Sequence, residues 1–129
     1  MIQSTLVWSL LPIMDLETKP IRYRISTMLE LRPVCENCNK ALPHDSAEAM
    51  ICTYECTFCC SCVENILENV CPNCGGGFVP RPIRPKTAWR PNLSIIHQPA
   101  TTELKHKPMN AEEHAEFAAK IKHIPPEKR

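Results

Sequence analysis

The sequence predicts a small α+β fold stabilised by bound metal, with little regular structure outside one Cys-rich segment. Three observations lead there. All nine Cys and all three Gly of the 129-residue chain fall between residues 35 and 79. The apolar share is 43% with Cys counted; without Cys it drops to about 36%, below the ~45–50% of ordinary globular domains, so a large core is not available. Eight of the thirteen Pro lie in residues 80–129, where they forbid long helices and sheets. A segment of this size rarely folds on its core alone and needs disulfides or a metal.

Taken in order, residues 1–27 show no sustained period and are expected to be a disordered extension or a mis-assigned start, with Met28 as a second candidate initiator. The first fourteen residues are apolar, but they lack a cationic leader and a small-residue cleavage site, and Pro12 and Asp15 interrupt the run. No signal peptide is expected, and no stretch approaches membrane-spanning length. The expected location is therefore cytoplasmic, where thiols stay reduced and clustered Cys pairs mean metal rather than disulfides.

Net charge is +1, yet residues 35–79 hold one Lys against six acids while residues 80–129 hold ten Lys or Arg against five acids. The predicted organisation follows this division. Residues 28–79 form the zinc-binding domain, residues 80–109 a basic Pro-rich extended arm, residues 110–124 a C-terminal helix and residues 125–129 a tail. In the helix, Asn110 followed by Glu113 is a capping-box pattern, and Pro125 and Pro126 close the far end.

Within the domain the Cys spacing is Cys35-x2-Cys38, Cys52-x3-Cys56-x2-Cys59-x2-Cys62 and Cys71-x2-Cys74. Eight thiols in four pairs make two tetrahedral sites, and zinc favours four thiolate ligands without any redox demand. Asn39 follows Cys38 and Gly75 follows Cys74; both residue types accept left-handed backbone, so these pairs read as chain-reversing knuckles. Val63 after Cys62 resists that geometry. There a helix is expected, with Val63, Ile66, Leu67 and Val70 at i, i+3, i+4, i+7 opposite Glu64, Asn65, Glu68 and Asn69. The turn signal Leu42-Pro43-His44-Asp45-Ser46 followed by Ala49-Met50-Ile51-Cys52 supplies a hairpin. A knuckle, a hairpin and a helix that donates the second ligand pair make a treble-clef unit.

The run from Cys35 to Cys74 resembles a RING finger, with Cys56-Thr57-Phe58-Cys59 and Cys71-Pro72-Asn73-Cys74 fitting that pattern and Cys56 standing where His is usual. The resemblance implies a cross-brace with two sites of four cysteines each: Cys35, Cys38, Cys59 and Cys62 on one Zn²⁺, and Cys52, Cys56, Cys71 and Cys74 on a second. Adjacent pairing of the same eight residues is the competing connectivity, and spacing alone leaves both open. RING ligases place an apolar residue after the first ligand and an Arg beside the last; here those positions are Glu36 and Gly75. Both departures count against ligase activity, and fold resemblance does not carry function across.

More closely, Met28 to about Pro85 is similar to a family of short bacterial Cys-rich proteins designated domain of unknown function 1272. The residues carrying the likeness are Leu29-Glu30-Leu31-Arg32-Pro33, Cys35-Glu36-Asn37-Cys38, Glu55-Cys56-Thr57-Phe58-Cys59 and Cys71-Pro72-Asn73-Cys74-Gly75-Gly76. It implies a zinc module and no established activity.

Cys60 stands outside the four pairs and is a candidate redox thiol, against the plainer reading of a small side chain beside the site. No His has knuckle spacing to a Cys, so none is assigned a role. Two closed thiolate sites leave no open metal position for substrate, and the protein is expected not to be an enzyme. In the arm, Arg81, Arg84, Lys86, Trp89 and Arg90 are candidate partner-binding residues, set against a solvated linker or an arm folded onto its own acidic module. The terminal residues Phe117, Ile121 and Ile124 are expected to pack against the module.

The function expected is a non-catalytic protein-interaction adaptor with an unidentified protein partner. The alternatives are a redox- or zinc-responsive switch using Cys60 and nucleic-acid binding through the basic arm. No membrane partner is expected.

Overall fold

Short strands joined by tight turns are what a segment so dense in Cys reversals can build. The computed structural model describes residues 28–129, of which Leu31–Arg129 make one unit; the expectations for residues 1–27 lie outside the described residues. Three strands, β1 (Ala49–Ile51), β2 (Thr57–Cys59) and β3 (Val79–Pro80), form an antiparallel sheet in the order β2-β1-β3. The register pairs Ala49 with Cys59, Ile51 with Thr57 and Met50 with Pro80. Pro80 donates nothing to a ladder and sits on an edge strand, where this is tolerated. The small α+β class expected from the sequence is what the chain adopts.

The β1–β2 hairpin bends at Cys52–Cys56, not at the Leu42–Ser46 turn signal. That signal does make a turn, with the Ser46 N–H donating to Pro43 O at 2.8 Å, but the chain before it contributes a single bridge, Val34 to Ala41. The bend at Cys52–Cys56 is set by Glu55 at φ 68°, a left-handed position that no Gly or Asn marks in advance.

After β2 the chain enters one α-turn, α1 (Cys60–Cys62), which passes into a π-helical turn over Val63–Leu67. The helix expected through Val70 stops at Leu67, because Glu68 and Asn69 both take left-handed backbone, at φ 53° and 59°. Asn69 then accepts the Phe78 N–H on its side-chain oxygen at 3.0 Å, which ties the helix exit to the chain entering β3. Val63, Leu67 and Val70 are buried as the periodicity requires, whereas Ile66 is left exposed; the wider π turn rotates the face away from the strict 3.6-residue stripe.

The core joins Leu42, Ala49, Phe58, Val63, Leu67 and Phe78 to six Cys. Half of its twelve members are thiols, so hydrocarbon burial alone is a thin source of stability for this unit. Phe58 and Phe78 meet edge to face at 5.5 Å between centroids, a favourable aromatic geometry.

Residues 81–109 carry no regular element and run back along this core. Their main chain donates from Thr101 to Leu31 O and from Lys107 to Glu36 O, the latter at 2.7 Å. Helix α2 (Ala111–Ala119) follows. Its N-cap is Asn110, whose side chain accepts the Glu113 N–H at 2.9 Å, the half of the capping box that satisfies an orphan donor. The regular helix is shorter than the 110–124 span expected. At Lys120 the pattern tightens to Phe117 O, and turn bonds to Ala118 O and Ile121 O lead into Pro125. A 3-10 turn, Pro126–Lys128, ends the chain.

The face α2 buries is His114 and Ala118, one helical turn apart. The expected stripe lies at its edge: the Phe117 and Ile121 side chains come against Gly75, yet Phe117 stays 37% exposed. His114, assigned no role from the sequence, is 4% exposed, and its Nε2 lies 3.0 Å from Leu67 O. As that carbonyl can only accept, Nε2 carries the proton. The histidine fastens α2 to the end of the π turn, a tertiary role that no local spacing reveals.

Candidate metal centre

The knuckle predicted at Cys35–Cys38 closes through the Asn39 N–H to Cys35 O at 2.9 Å, with Asn39 at φ 65°; the one at Cys71–Cys74 closes through the Gly75 N–H to Cys71 O at 2.8 Å, with Gly75 at φ 81°. The left-handed residues are the two the sequence marked. The first knuckle then meets Cys59, the last residue of β2, and Cys62, at the end of α1. The Sγ atoms of Cys35, Cys38, Cys59 and Cys62 all lie within 4.8 Å of one another. Two of the separations are 3.8 Å (Cys35–Cys62) and 3.7 Å (Cys38–Cys59).

These distances test the fit of an ion. A tetrahedron with Zn–S bonds of about 2.3 Å has S···S edges of about 3.8 Å, whereas a disulfide requires about 2.05 Å. The spacing is that of ligands around a common ion, and Cys35, Cys59 and Cys62 are buried. In the second group, the Sγ atoms of Cys52, Cys56 and Cys71 lie within 4.8 Å of one another. Cys74 is outside that group; its side chain is exposed and its sulfur accepts the Gly76 N–H at 3.4 Å. Each of the two groups could therefore hold a metal ion, and both draw their sulfurs from interleaved rather than successive pairs.

Burial and crowding govern the protons on these thiols. Burial pushes Cys52 up to about 11 and is also the main cause raising Cys62 and Cys38. Cys71 is raised chiefly by its hydrogen bond to Cys56 and then by burial. Cys56 falls to about 6, led by that same contact with Cys71 and helped by the Asn73 amide, against burial. Cys35 is also lowered: burial opposes, but the main-chain N–H groups of Cys38, Cys59 and Asn37 together outweigh it. Each group thus sets one lowered thiol, Cys35 or Cys56, beside raised ones, Cys38 and Cys62 or Cys52 and Cys71. Several thiolates so close together need a dication.

Both groups share a supporting contact. The Asn37 side-chain amide, inside the first knuckle, donates to Cys62 Sγ at 3.5 Å, and the Asn73 amide, at the same place in the second knuckle, donates to Cys56 Sγ at 3.4 Å. In each case the knuckle is tied to a sulfur from another segment. Asn37 also accepts the Met109 N–H on Oδ1 at 3.2 Å, which carries the C-terminal segment onto the first knuckle. The signal for these two residues is the repeated Cys-x-Asn-Cys pattern, to which spacing of the Cys alone assigns no role.

Glu36, which stands where RING ligases have an apolar docking residue, points inward. It is 6% exposed, pairs with Arg32, and accepts the Thr57 N–H at 2.8 Å, so it braces the first knuckle against β2. Of the candidate partner-binding residues, Arg81 is withdrawn from the surface. It is 4% exposed and donates to Arg32 O (2.8 Å), Pro43 O (2.9 Å) and Leu42 O (3.3 Å). Arg84 donates to Gln98 O at 2.6 Å. Lys86, Trp89 and Arg90 are exposed. Cys60 belongs to neither sulfur group and is half-buried.

Fold and site together define a small Cys-rich α+β protein with two thiol groups able to bind metal. Residues 28–84 match the model of the family described as "Protein of unknown function (DUF1272)". An uncharacterized protein of Rhizobium meliloti (strain 1021) is 62% identical over 58 residues, which cover 45% of this chain and 69% of that relative. The chain belongs to this family. No solved structure matches it.

Proposed function

We propose that the protein is a two-zinc structural module of RING-like, treble-clef type that serves as a non-catalytic protein-interaction adaptor. The observation that carries the reading is the first sulfur group, whose two closest S···S separations, 3.7 and 3.8 Å, match the edge of a zinc–thiolate tetrahedron. The interleaved origin of its sulfurs supports a cross-brace over adjacent pairing. In the second site we assign Cys52, Cys56 and Cys71 together with Cys74, which ends the same knuckle. Closed thiolate sites supply folding free energy, on the order of 10 kcal/mol or more for a structural ion, and offer no position for substrate or water. That argues for a platform rather than an enzyme.

Native mass spectrometry on the full chain, purified without added metal, tests this when combined with alkylation of accessible thiols. Two zinc ions per chain with every Cys except Cys60 protected is the expected result. A single ion, or iron, would overturn the two-zinc assignment.

A further inference from the structure

Between Arg84 and Gln98 the chain closes a loop on itself. The Arg84 guanidinium donates to Gln98 O and the Ile95 N–H to Pro85 O, at 2.6 and 2.8 Å. Inside, Ser94 is 1% exposed; its hydroxyl lies 2.8 Å from His97 Nδ1 and accepts the Ile96 N–H. The Gln98 side chain donates to Asn92 O at 2.8 Å. Arg84, Ser94, His97 and Gln98 are thus spent on holding the loop's shape.

Ile95 is half-buried, but the other large apolar side chains of the loop are left to solvent. Trp89 is 80% exposed, Ile96 76%, Leu93 56% and neighbouring Ile83 54%, and every residue from Pro85 to Leu93 is exposed. The same exposed run carries Lys86 and Arg90, and no Asp or Glu occurs anywhere from residue 69 to residue 102. We propose that, against the sequence-based expectation of no membrane partner, this loop is a membrane-surface contact, in which Trp89, Leu93 and Ile96 enter the interface of a bilayer bearing anionic headgroups and Lys86 and Arg90 pair with those headgroups.

The chemistry favours this occupant over two others. Indole settles at the headgroup level and aliphatic side chains at the acyl boundary, while juxtaposed cations gain from anionic lipid within a Debye length. Single-stranded nucleic acid would use Trp89 by stacking, but Leu93 and Ile96 offer bases neither a stacking face nor a hydrogen bond. An ordinary protein interface takes about 20–30 residues a side, more than Arg84–Gln98 contains, and a fluid surface asks for no shape match. Among the described residues no helix is long and apolar enough to cross a membrane, so the contact lies on the surface rather than through it.

The test uses the full chain with Trp8→Phe, which leaves Trp89 as the single indole, and vesicles of phosphatidylcholine with or without phosphatidylserine. The expected result is a blue shift of Trp89 emission and co-sedimentation with the phosphatidylserine vesicles, weakened by salt. The double variant Leu93→Ser/Ile96→Ser should bind about tenfold or more weakly at unchanged metal content. Trp89→Ala, read by co-sedimentation alone, should show the same direction. Unchanged emission with all protein in the supernatant would overturn the proposal. So would equal vesicle binding by the double variant, or quenching by oligo-thymidine without any vesicle response, which would give the loop to nucleic acid instead.

Discussion

The two sulfur groups are built from the same parts and end differently. Each has a Cys-x-Asn-Cys knuckle whose Asn amide donates to a sulfur from another segment, and in each knuckle the last Cys is exposed. Cys38 nevertheless sits 3.7 Å from Cys59, while Cys74 remains outside its group. The surroundings differ. The first knuckle is held by Lys107, Met109 and Glu36 bonds and by Arg81 on the carbonyls around it. The second runs into Gly75-Gly76-Gly77, where the Cys71 N–H donates to Gly76 O, Arg129 donates to Gly75 O and the Phe117 and Ile121 side chains come against Gly75, contacts made around Cys74 rather than to it. Identical local motifs therefore close differently, with four sulfurs brought together at the first and three at the second, according to which atoms the rest of the chain contacts.

Ligand removal should separate the groups most sharply. Complete chelation is expected to unfold the module, since structural zinc contributes on the order of 10 kcal/mol, and circular dichroism before and after chelation reports it. Cys59→Ser should approach that loss, while Cys74→Ser should keep the first ion and bind the second weakly. Ion counts by native mass spectrometry decide this, and equal damage from the two variants would break the comparison. Acid acts in the same direction. Cys52 at about 11 and Cys62 and Cys71 pushed up by burial or neighbours hold their protons at neutral pH unless an ion displaces them. Metal capture should release protons, and occupancy should fall as pH falls, with the second group emptying first in a pH titration followed by ion counting.

Arg81→Met removes three donors to main-chain carbonyls near the first knuckle. Each buried acceptor left unpaired is costly, and the variant should lose about 2–3 kcal/mol, read as a lower denaturant midpoint. Replacing Asn73 or Asn37 with Leu removes an N–H···S contact; loss of such outer contacts commonly weakens metal binding about 10–100-fold. Transfer of zinc to a chromogenic chelator should quicken in both variants. Asn37→Leu should have the larger effect, because Met109 loses its acceptor as well. Asn110→Ala, which deletes the α2 cap, is the mildest change at about 1 kcal/mol. It should raise amide exchange over residues 111–119 and leave ion counts unaltered.

Much of the site could be read before the fold. Cys spacing announced pairs, and Asn39 and Gly75 announced two reversals, because left-handed backbone is cheap for these residue types. Glu55 and Glu68 take the same geometry without any side-chain advantage; the hairpin turn at Cys52–Cys56 and the end of the π turn impose it on them. The helix expected through Val70 was overestimated for the same reason, since apolar periodicity records which residues are buried, not where the backbone stops being helical. Arg81 and His114 were missed because their partners, Leu42 O and Leu67 O, lie 39 and 47 positions away in the chain.

By itself the sequence determined that the folded unit is Cys-dense and short of hydrocarbon, that it has four Cys pairs, and that a capped helix follows a Pro-rich stretch. These properties are local, fixed by residue type and short spacing. Which sulfurs lie together, an interleaved grouping that the RING resemblance implied but spacing left open, that Glu36 and Arg81 turn inward, and that Trp89 and its neighbours face outward were decided by tertiary structure. Those outcomes depend on which distant carbonyls and sulfurs the folded chain brings within bonding distance, and no local pattern encodes that.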